Sequence, residues 1–304
     1  MMKRTANLNL FLFLLLICGL FGCSRLAMHN IALTNGTITI QLAKNNKGIP
    51  YIDQVISTNT GQVFLIDSSE GMALQTRIEN NFLYEKAELH SLSDWEISED
   101  SVFIKAQALI GINQTKLGFH VELMKDKPLC RIYCTAQSDT RIKVKEFPIF
   151  CSSLFIPDSA SSLRWWKAVD YTLQQEPITS DTRLSLNSRI YSSDNYNGLA
   201  GHVPYWLIEN ARNTIGFSLA WCGGWRANLS GEKRLLNTDI YLPESETQLC
   251  LETCEIVKGP ELTVFFTQDT NPILSRKSWI EARAYLAKRL YPVPDIKFPL
   301  IYNH

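Results

Sequence analysis

The sequence predicts a mainly β protein, in which an antiparallel sandwich is followed by one helix near the C-terminus. Three observations lead to this prediction. Short stretches of alternating polar and apolar residues recur from residue 37 to residue 266, polar turns separate them, and no convincing helical period occurs before about residue 275. Short strands joined by polar turns at this spacing are typical of antiparallel sandwiches.

The N-terminus has the pattern of an export signal. Two basic residues precede a nearly continuous apolar stretch over residues 8–20, which is short for a membrane span of about 20 residues. A small residue directly before Cys23 is typical of bacterial lipoprotein signals, so we predict a signal peptide over 1–23 and lipidation of Cys23. An uncleaved anchor and plain secretion are the alternatives, and residues 24–35 are expected to be a tether. The expected location is the periplasm or the cell surface, with the membrane as a partner through the lipid.

The predicted sandwich covers residues 36–272. Its strand-like stretches are 37–42, 62–66, 101–106, 117–123, 129–134, 142–147, 149–156, 205–209, 214–221, 247–253 and 261–266. The region 157–205 is the least regular, because aromatic residues are mixed with turn residues there. Its aromatic content argues against disorder, so we predict a long functional loop.

The last segment, 273–304, is predicted to be a linker helix followed by a strand. Apolar residues fall on one face of a helix over 275–290, and Pro292 prevents its continuation. A short apolar strand is expected at 298–302.

Charge and cysteine content restrict the function classes. Lys and Arg together number 30, as do Asp and Glu, so there is no electrostatic reason to expect nucleic acid as a partner. The six cysteines after Cys23 include two pairs with C-x3-C spacing in strand-like sequence. Residues four apart in a strand are too distant for a disulfide, which leaves bridges between strands or, as we favour, buried free thiols. No histidine lies beside either pair, so a metal site is not predicted.

One region resembles a known family. A strand ending at Pro157 is followed by the pair Trp165-Trp166, then by the serine-rich stretch 187–197, and then by 205–225 with its core Gly-Phe-Ser-Leu at 216–219. This order resembles the N-terminal β-supersandwich domain of glycoside hydrolase family 36, the α-galactosidases and their relatives. Cys-Gly-Gly at 222–224 stands where that family has Ser-Gly-Asn, and the helix, proline-rich connector and strand over 275–304 also follow the order of the family.

The resemblance implies a function for the chain within a larger enzyme. It implies the non-catalytic N-terminal domain of an exported α-galactosidase-like hydrolase, which supports and shapes the sugar pocket of a (β/α)8 barrel that this sequence only begins. The catalytic aspartates of the family lie on later barrel strands, so no catalytic residue and no cofactor are expected here and the chain is expected to be inactive alone. An α-galactoside is the expected partner when the barrel is present, and a homo-oligomer is possible. The alternative is a stand-alone carbohydrate-binding or structural surface lipoprotein.

Carbohydrate contact is predicted for four residues, namely Trp165, Trp166, Asp194 and Trp225. Sugars stack their C–H faces on aromatic rings while polar groups fix their hydroxyls, and these residues lie in irregular sequence. The alternative is that the rings fill the core, as expected for Trp206. Asp194 and Glu209 could also form a carboxyl pair, but nothing in their spacing indicates the close approach that a retaining glycosidase requires.

Overall fold

The computed structural model describes residues 31–72, 74, 89–112, 115–144, 146–155, 161–168, 172–190, 199–210, 213–220, 224–232, 235–243 and 250–267, together with Lys277, Ile280 and Ala284. The chain divides into a unit over 1–30, which lies outside the described residues, and a unit over 31–304. Strands dominate the second unit. In the described part, no helix is long and apolar enough to cross a membrane.

The strands, in chain order, are β1 (Ile31–Thr34), β2 (Ile38–Lys44), β3 (Pro50–Ser57), β4 (Val63–Ile66), β5 (Leu89–Ser91), β6 (Glu96–Glu99), β7 (Phe103–Ile112), β8 (Thr115–Met124), β9 (Leu129–Ser138), β10 (Ile142–Lys143), β11 (Phe147–Phe155), β12 (Ser162–Lys167), β13 (Leu173–Pro177), β14 (Arg183–Ile190), β15 (Leu199–Glu209), β16 (Thr214–Ala220), β17 (Trp225–Glu232), β18 (Leu235–Leu242), β19 (Cys250–Leu251), β20 (Ile256–Lys258) and β21 (Glu261–Thr267).

The first layer of the sandwich joins two groups of strands. The order β1-β2-β3-β4 forms one sheet, and β11-β18-β17-β14 forms the beginning of another. A bridge between Asp67 and Leu154 connects β4 to β11, and the backbone N–H of Ser68 donates to the carbonyl of Ser153 at 2.9 Å. The two groups therefore form one continuous surface.

The second layer has the order β13-β12-β15-β16-β21-β9-β8-β7, with β5 and β6 both paired to the far side of β7. Strand β15 belongs to both layers. Its residues 199–201 pair with β14, and its later residues pair with β12 and β16. All of these pairings are antiparallel.

The core lies between the layers, because alternate residues of the strands point inward and are apolar. In β2 the inward residues Ile38, Ile40 and Leu42 are buried while their neighbours Thr39 and Gln41 are half-exposed. These inward residues belong to one apolar cluster with those of β7, β8, β9, β16 and β21. Burying both sets of inward side chains from water supplies the main driving force for packing the layers.

Trp95 closes one edge of the sandwich. Its indole N–H donates to the backbone carbonyl of Ala43 on β2 at 3.1 Å, and its ring packs at a tilt on Phe119 of β8, 5.9 Å between centroids. The two layers are thus connected beside β6 by one buried aromatic residue.

The predicted mainly β, antiparallel fold is confirmed. The long loop predicted over 157–205 is wrong, because β12, β13, β14 and most of β15 lie there. β13 is an edge strand whose residues are exposed or half-exposed, so its sequence lacks the alternation that identifies a strand. β1 lies within the predicted tether and pairs with β2.

The structure describes only three residues of the predicted C-terminal segment 273–304. Lys277, Ile280 and Ala284 are helical, as predicted for 275–290. The remainder of that helix, the strand at 298–302, the signal peptide and Cys23 lie outside the described residues.

Candidate functional site

Three of the four predicted carbohydrate-contact residues lie close together, at the place where β15 leaves β14 and joins β12. Trp165 and Trp166 are on β12, and Trp225 begins β17. Trp165 is paired with Trp206 of β15, and Trp225 with Ser188 of β14. Asp194 lies outside the described residues. We call this place the β14–β15 junction.

Trp225 and Trp165 face the core. Trp225 is 1% exposed and stacks on Trp206, with the ring centroids 6.1 Å apart and the planes at 16°. Trp206 in turn stacks on Phe217 at 5.5 Å, and Trp165 is 8% exposed. The expectation that Trp165 and Trp225 lie in irregular sequence is wrong, since both lie in strands and pack in the core. Carbohydrate contact by these two residues stays a prediction. Trp206 is in the core, as expected.

Trp166 faces the other way and remains the aromatic candidate. It is half-buried and stacks on Tyr205 of β15, with centroids 4.9 Å apart and planes at 20°. The pairing of β12 with β15 shifts register between Trp165 and Lys167, where β15 places residues 203–205 opposite Trp166. Trp166 itself keeps the alternation of β12, in which Leu163 and Trp165 are buried and their neighbours are not. Trp166 is thus in a strand, contrary to the prediction, but on the outer face of the sheet.

A buried ion pair lies on the same outer face. Arg164 Nε is 2.7 Å from Glu209 Oε2, and both side chains are largely buried. Burial raises the pKa of Glu209, and the charge of Arg164 opposes that increase. The second carboxylate oxygen, Oε1, has no hydrogen-bond partner among the residues that the structure describes. Sequence reasoning considered Glu209 only as a partner for Asp194 and missed Arg164.

His202 occupies the point where β15 separates from β14. Its Nδ1 accepts a hydrogen bond from the backbone N–H of Asn187 at 3.2 Å, which places the proton of the neutral ring on Nε2. Burial lowers the pKa of His202, the hydrogen bond with Asn187 opposes that decrease, and the charge of Lys167 adds to it. Lys167 is also its cross-strand partner. Sequence reasoning treated His202 as one of several scattered histidines and missed it.

The junction offers groups for binding rather than for covalent chemistry. The half-buried ring of Trp166, the ammonium group of Lys167 and the Nε2 proton of His202 are groups that can contact a polyhydroxylated ligand. Within the described segments, no group of three or more His, Cys, Asp or Glu side chains could hold a metal ion.

The thiols do not form an alternative nucleophilic site. Cys130, Cys134, Cys151, Cys250 and Cys254 form no disulfide, and the first three are buried as predicted, whereas Cys250 is partly exposed and Cys254 is exposed, contrary to the prediction of buried thiols. Burial raises the pKa of Cys130 to about 12 and also raises that of Cys134, so both stay protonated. Cys222 lies outside the described residues.

Solved structures share this fold. The galactosidase domain of the α-galactosidase-sucrose kinase AgaSK matches with a TM-score of 0.57 at 12% identity, over 78% of this chain and 40% of that one. A GH36 α-galactosidase variant, AgaA from Geobacillus stearothermophilus in complex with raffinose, matches with a TM-score of 0.55 at 10% identity, over 79% and 41%. The α-galactosidase from Lactobacillus brevis matches with a TM-score of 0.55 at 10% identity, over 80% and 40%.

Sequence comparison adds nothing to this structural likeness. No family model matches the sequence, and no curated protein matches it. Similarity at such low identity concerns the fold and not the function. The chain spans about two fifths of the length of the solved enzymes it matches. The resemblance predicted from residues 157–225 is confirmed as a likeness of fold, and the chain has the β architecture of part of the GH36 α-galactosidases.

Proposed function

We propose that this chain is the N-terminal, non-catalytic part of an exported α-galactosidase-like glycoside hydrolase, and that it shapes one side of a sugar pocket completed by a further domain. The observation that supports this most is the fold match. It covers about four fifths of this chain but only about two fifths of each matched enzyme.

The β14–β15 junction is the proposed contribution to that pocket. Trp166 would stack on a sugar ring, while Lys167 and His202 would donate to its hydroxyls. The substrate class proposed is a terminal α-galactoside, because one of the matched enzymes is an α-galactosidase in complex with raffinose. The reaction would belong to the further domain.

Hydrolysis of p-nitrophenyl α-galactoside and of raffinose tests the proposal. We would compare the 304-residue chain alone with the same chain extended by whatever its own gene encodes downstream. We expect no turnover by the chain alone and turnover by the extended protein. Trp166→Ala in the extended protein should raise KM at least fivefold, whereas Trp225→Phe, a conservative change in the core, should leave KM unchanged. Turnover by the purified chain alone would contradict the proposal, as would an extended protein that does not hydrolyse α-galactosides.

Export and lipidation are proposed as well, from the N-terminal pattern. Labelling of cells with a radioactive fatty acid should mark the wild-type protein and leave Cys23→Ser unlabelled. An unlabelled wild-type protein in the culture medium would favour plain secretion instead.

A further inference from the structure

The outer face of the first layer carries few charges over its four strands β11, β18, β17 and β14. Core residues such as Leu236 and Ile240 alternate with outward ones along β18. Six of the outward residues on these strands are neutral amides or hydroxyls that are half-buried or exposed, namely Ser153, Asn237, Asn228, Ser230, Ser185 and Asn187. We call this surface the amide face.

Strand register arranges the amide face in three rows that cross the strands. The first row is Ser153, Asn237, Ser230 and Arg183, the second is Asp239, Asn228 and Ser185, and the third is Tyr241, Arg226 and Asn187. Neighbours within a row are on strands about 4.8 Å apart, and successive rows are separated by two residues, about 6.6 Å. The face therefore presents a regular array of side chains over a length that accommodates a short oligosaccharide.

Hydrogen bonds between side chains fix the orientation of two amides. Ser153 Oγ donates to Asn237 Oδ1 at 2.6 Å, and Ser185 Oγ donates to Asn228 Oδ1 at 2.9 Å. Both amide oxygens are thereby engaged, so the donor groups Nδ2 are left for other partners. Within the described part of the chain, Asn237 Nδ2 makes no hydrogen bond, and Asn228 Nδ2 makes only a long one of 3.5 Å to the hydroxyl of Tyr241.

Arg226 supplies a stronger donor beside them. Its Nη1 lies 3.4 Å from the hydroxyl of Tyr241, whose ring is buried, and none of the ion pairs among the described residues involves Arg226. Arginine has five donors in a planar fork, so most of them remain available. Arg183, at the edge of the face, has Nη1 bound to the backbone carbonyls of Thr182 and Gly231.

We propose that the amide face binds a neutral glycan through Asn228 and Asn237, which lie outside the adjoining β14–β15 junction. Fixed N–H donors next to hydroxyl oxygens match the paired hydroxyls of a sugar, which both donate and accept. The rows contain two basic residues, Arg183 and Arg226, on either side of the row that holds Asp239, so a polyanion finds no continuous stripe of basic residues. A protein partner would require apolar or aromatic anchors that protrude, and the ring of Tyr241 is buried instead.

Affinity electrophoresis of the full chain tests this inference, because retardation in a polysaccharide gel detects weak binding. The gels would contain galactomannan, xyloglucan, starch or, as an anionic comparison, polygalacturonate. We expect retardation by at least one neutral polysaccharide and none by polygalacturonate. The double variant Asn228→Ala/Asn237→Ala should be retarded at least five times less than the wild type. Its Tm should change little, since both side chains lie on the outer face.

The control is Gln41→Ala/Gln54→Ala, which removes a comparable amide pair from the outer face of β2 and β3. It should bind as the wild type does. Migration unaffected by all four polysaccharides would overturn the inference, as would equal losses in both double variants. Retardation that depends on Trp166 and not on Asn228 and Asn237 would overturn it in favour of the junction. None of these outcomes bears on the proposed galactosidase role, which is tested by hydrolysis.

Discussion

The indole rings of Trp206 and Trp225 stack face to face, 6.1 Å apart and 16° from parallel, between the two layers of the sandwich. Trp206 lies on the strand that passes from one layer to the other, so this stack joins the layers at the β14–β15 junction. Because both rings are fully buried, we expect Trp225→Ala to cost about 3–5 kcal/mol of unfolding free energy. Trp166→Ala, which removes a half-buried ring, should cost less.

Urea unfolding followed by far-UV circular dichroism measures both changes. Circular dichroism is preferred to fluorescence, since the substitutions remove fluorophores. If Trp225→Ala proved as stable as the wild type, the stack would not hold the layers together, and a ligand-binding role for that ring would have to be considered again.

Arg131 of β9 lies at the centre of a second buried cluster, on the outer face of the second layer. Its Nη1 is 3.1 Å from Glu261 Oε2, and its other terminal nitrogen forms an ion pair with Glu122. Tyr133 also donates to Glu122 Oε1 at 3.0 Å. Removing one partner of a buried pair leaves a charge without compensation, so Arg131→Met should lower the unfolding free energy by about 3–5 kcal/mol.

A surface pair provides the comparison for Arg131. Arg141 Nε lies 3.0 Å from Glu252 Oε1, with both side chains more than half exposed. Exposed pairs contribute at most about 1 kcal/mol, so Arg141→Met should unfold almost as the wild type does. Similar losses in the two variants would show that burial does not strengthen the Arg131 cluster.

His120 should make stability depend on pH below about 6.5, the usual pKa of histidine. Burial lowers its pKa, Glu122 raises it and Lys258 lowers it, and the ring stacks on Tyr133 at 4.5 Å. The unfolded chain therefore binds a proton at a higher pH than the folded chain does, and stability falls as the pH falls below about 6.5. The slope from one such histidine is at most about 1.4 kcal/mol per pH unit.

Chemical denaturation at pH 7.5, 6.5 and 5.5 measures this slope. His120→Gln should reduce it, since glutamine does not titrate. Thr135→Val, which removes the hydroxyl 3.0 Å from His120 Nε2 but keeps the imidazole, should retain it. A slope unchanged in His120→Gln would assign the pH dependence to other groups, such as His202.

The sequence predicted those strands in which apolar residues alternate with polar ones without interruption. β2, β8 and β21 were identified this way, whereas β17 and β18 were missed. The outward positions of these two strands hold Asn, Ser and Asp, which are typical of turns and conceal the period of two. The pair Arg164–Glu209 could not be found either, because only the register of β12 with β15 brings these residues together.

Aromatic content did not show which face of the sheet each ring occupies. Trp165 and Trp166 are adjacent, yet one fills the core and the other lies on the outer face. Adjacent residues of a strand point to opposite faces, and which of the two points inward depends on which face of β12 packs on the core. This cannot be read from local composition.

Gly201 should be essential where β15 changes layer. Its φ is 109°, and a Cβ built there would lie 2.2 Å from the carbonyl oxygen of Asn187 on β14. Gly201→Ala therefore combines an unfavourable backbone conformation, about 1–3 kcal/mol, with a clash against backbone that cannot move without separating β14 from β15.

Gly36→Ala is the matched control, because φ is also positive there, at 81°, but no atom lies within 4 Å of the added carbon. Urea unfolding should show a larger loss for Gly201→Ala than for Gly36→Ala, and the difference measures the clash alone. Equal losses would mean that the close approach of Gly201 to Asn187 relaxes without cost, and that the crossing of β15 between the layers does not depend on this glycine.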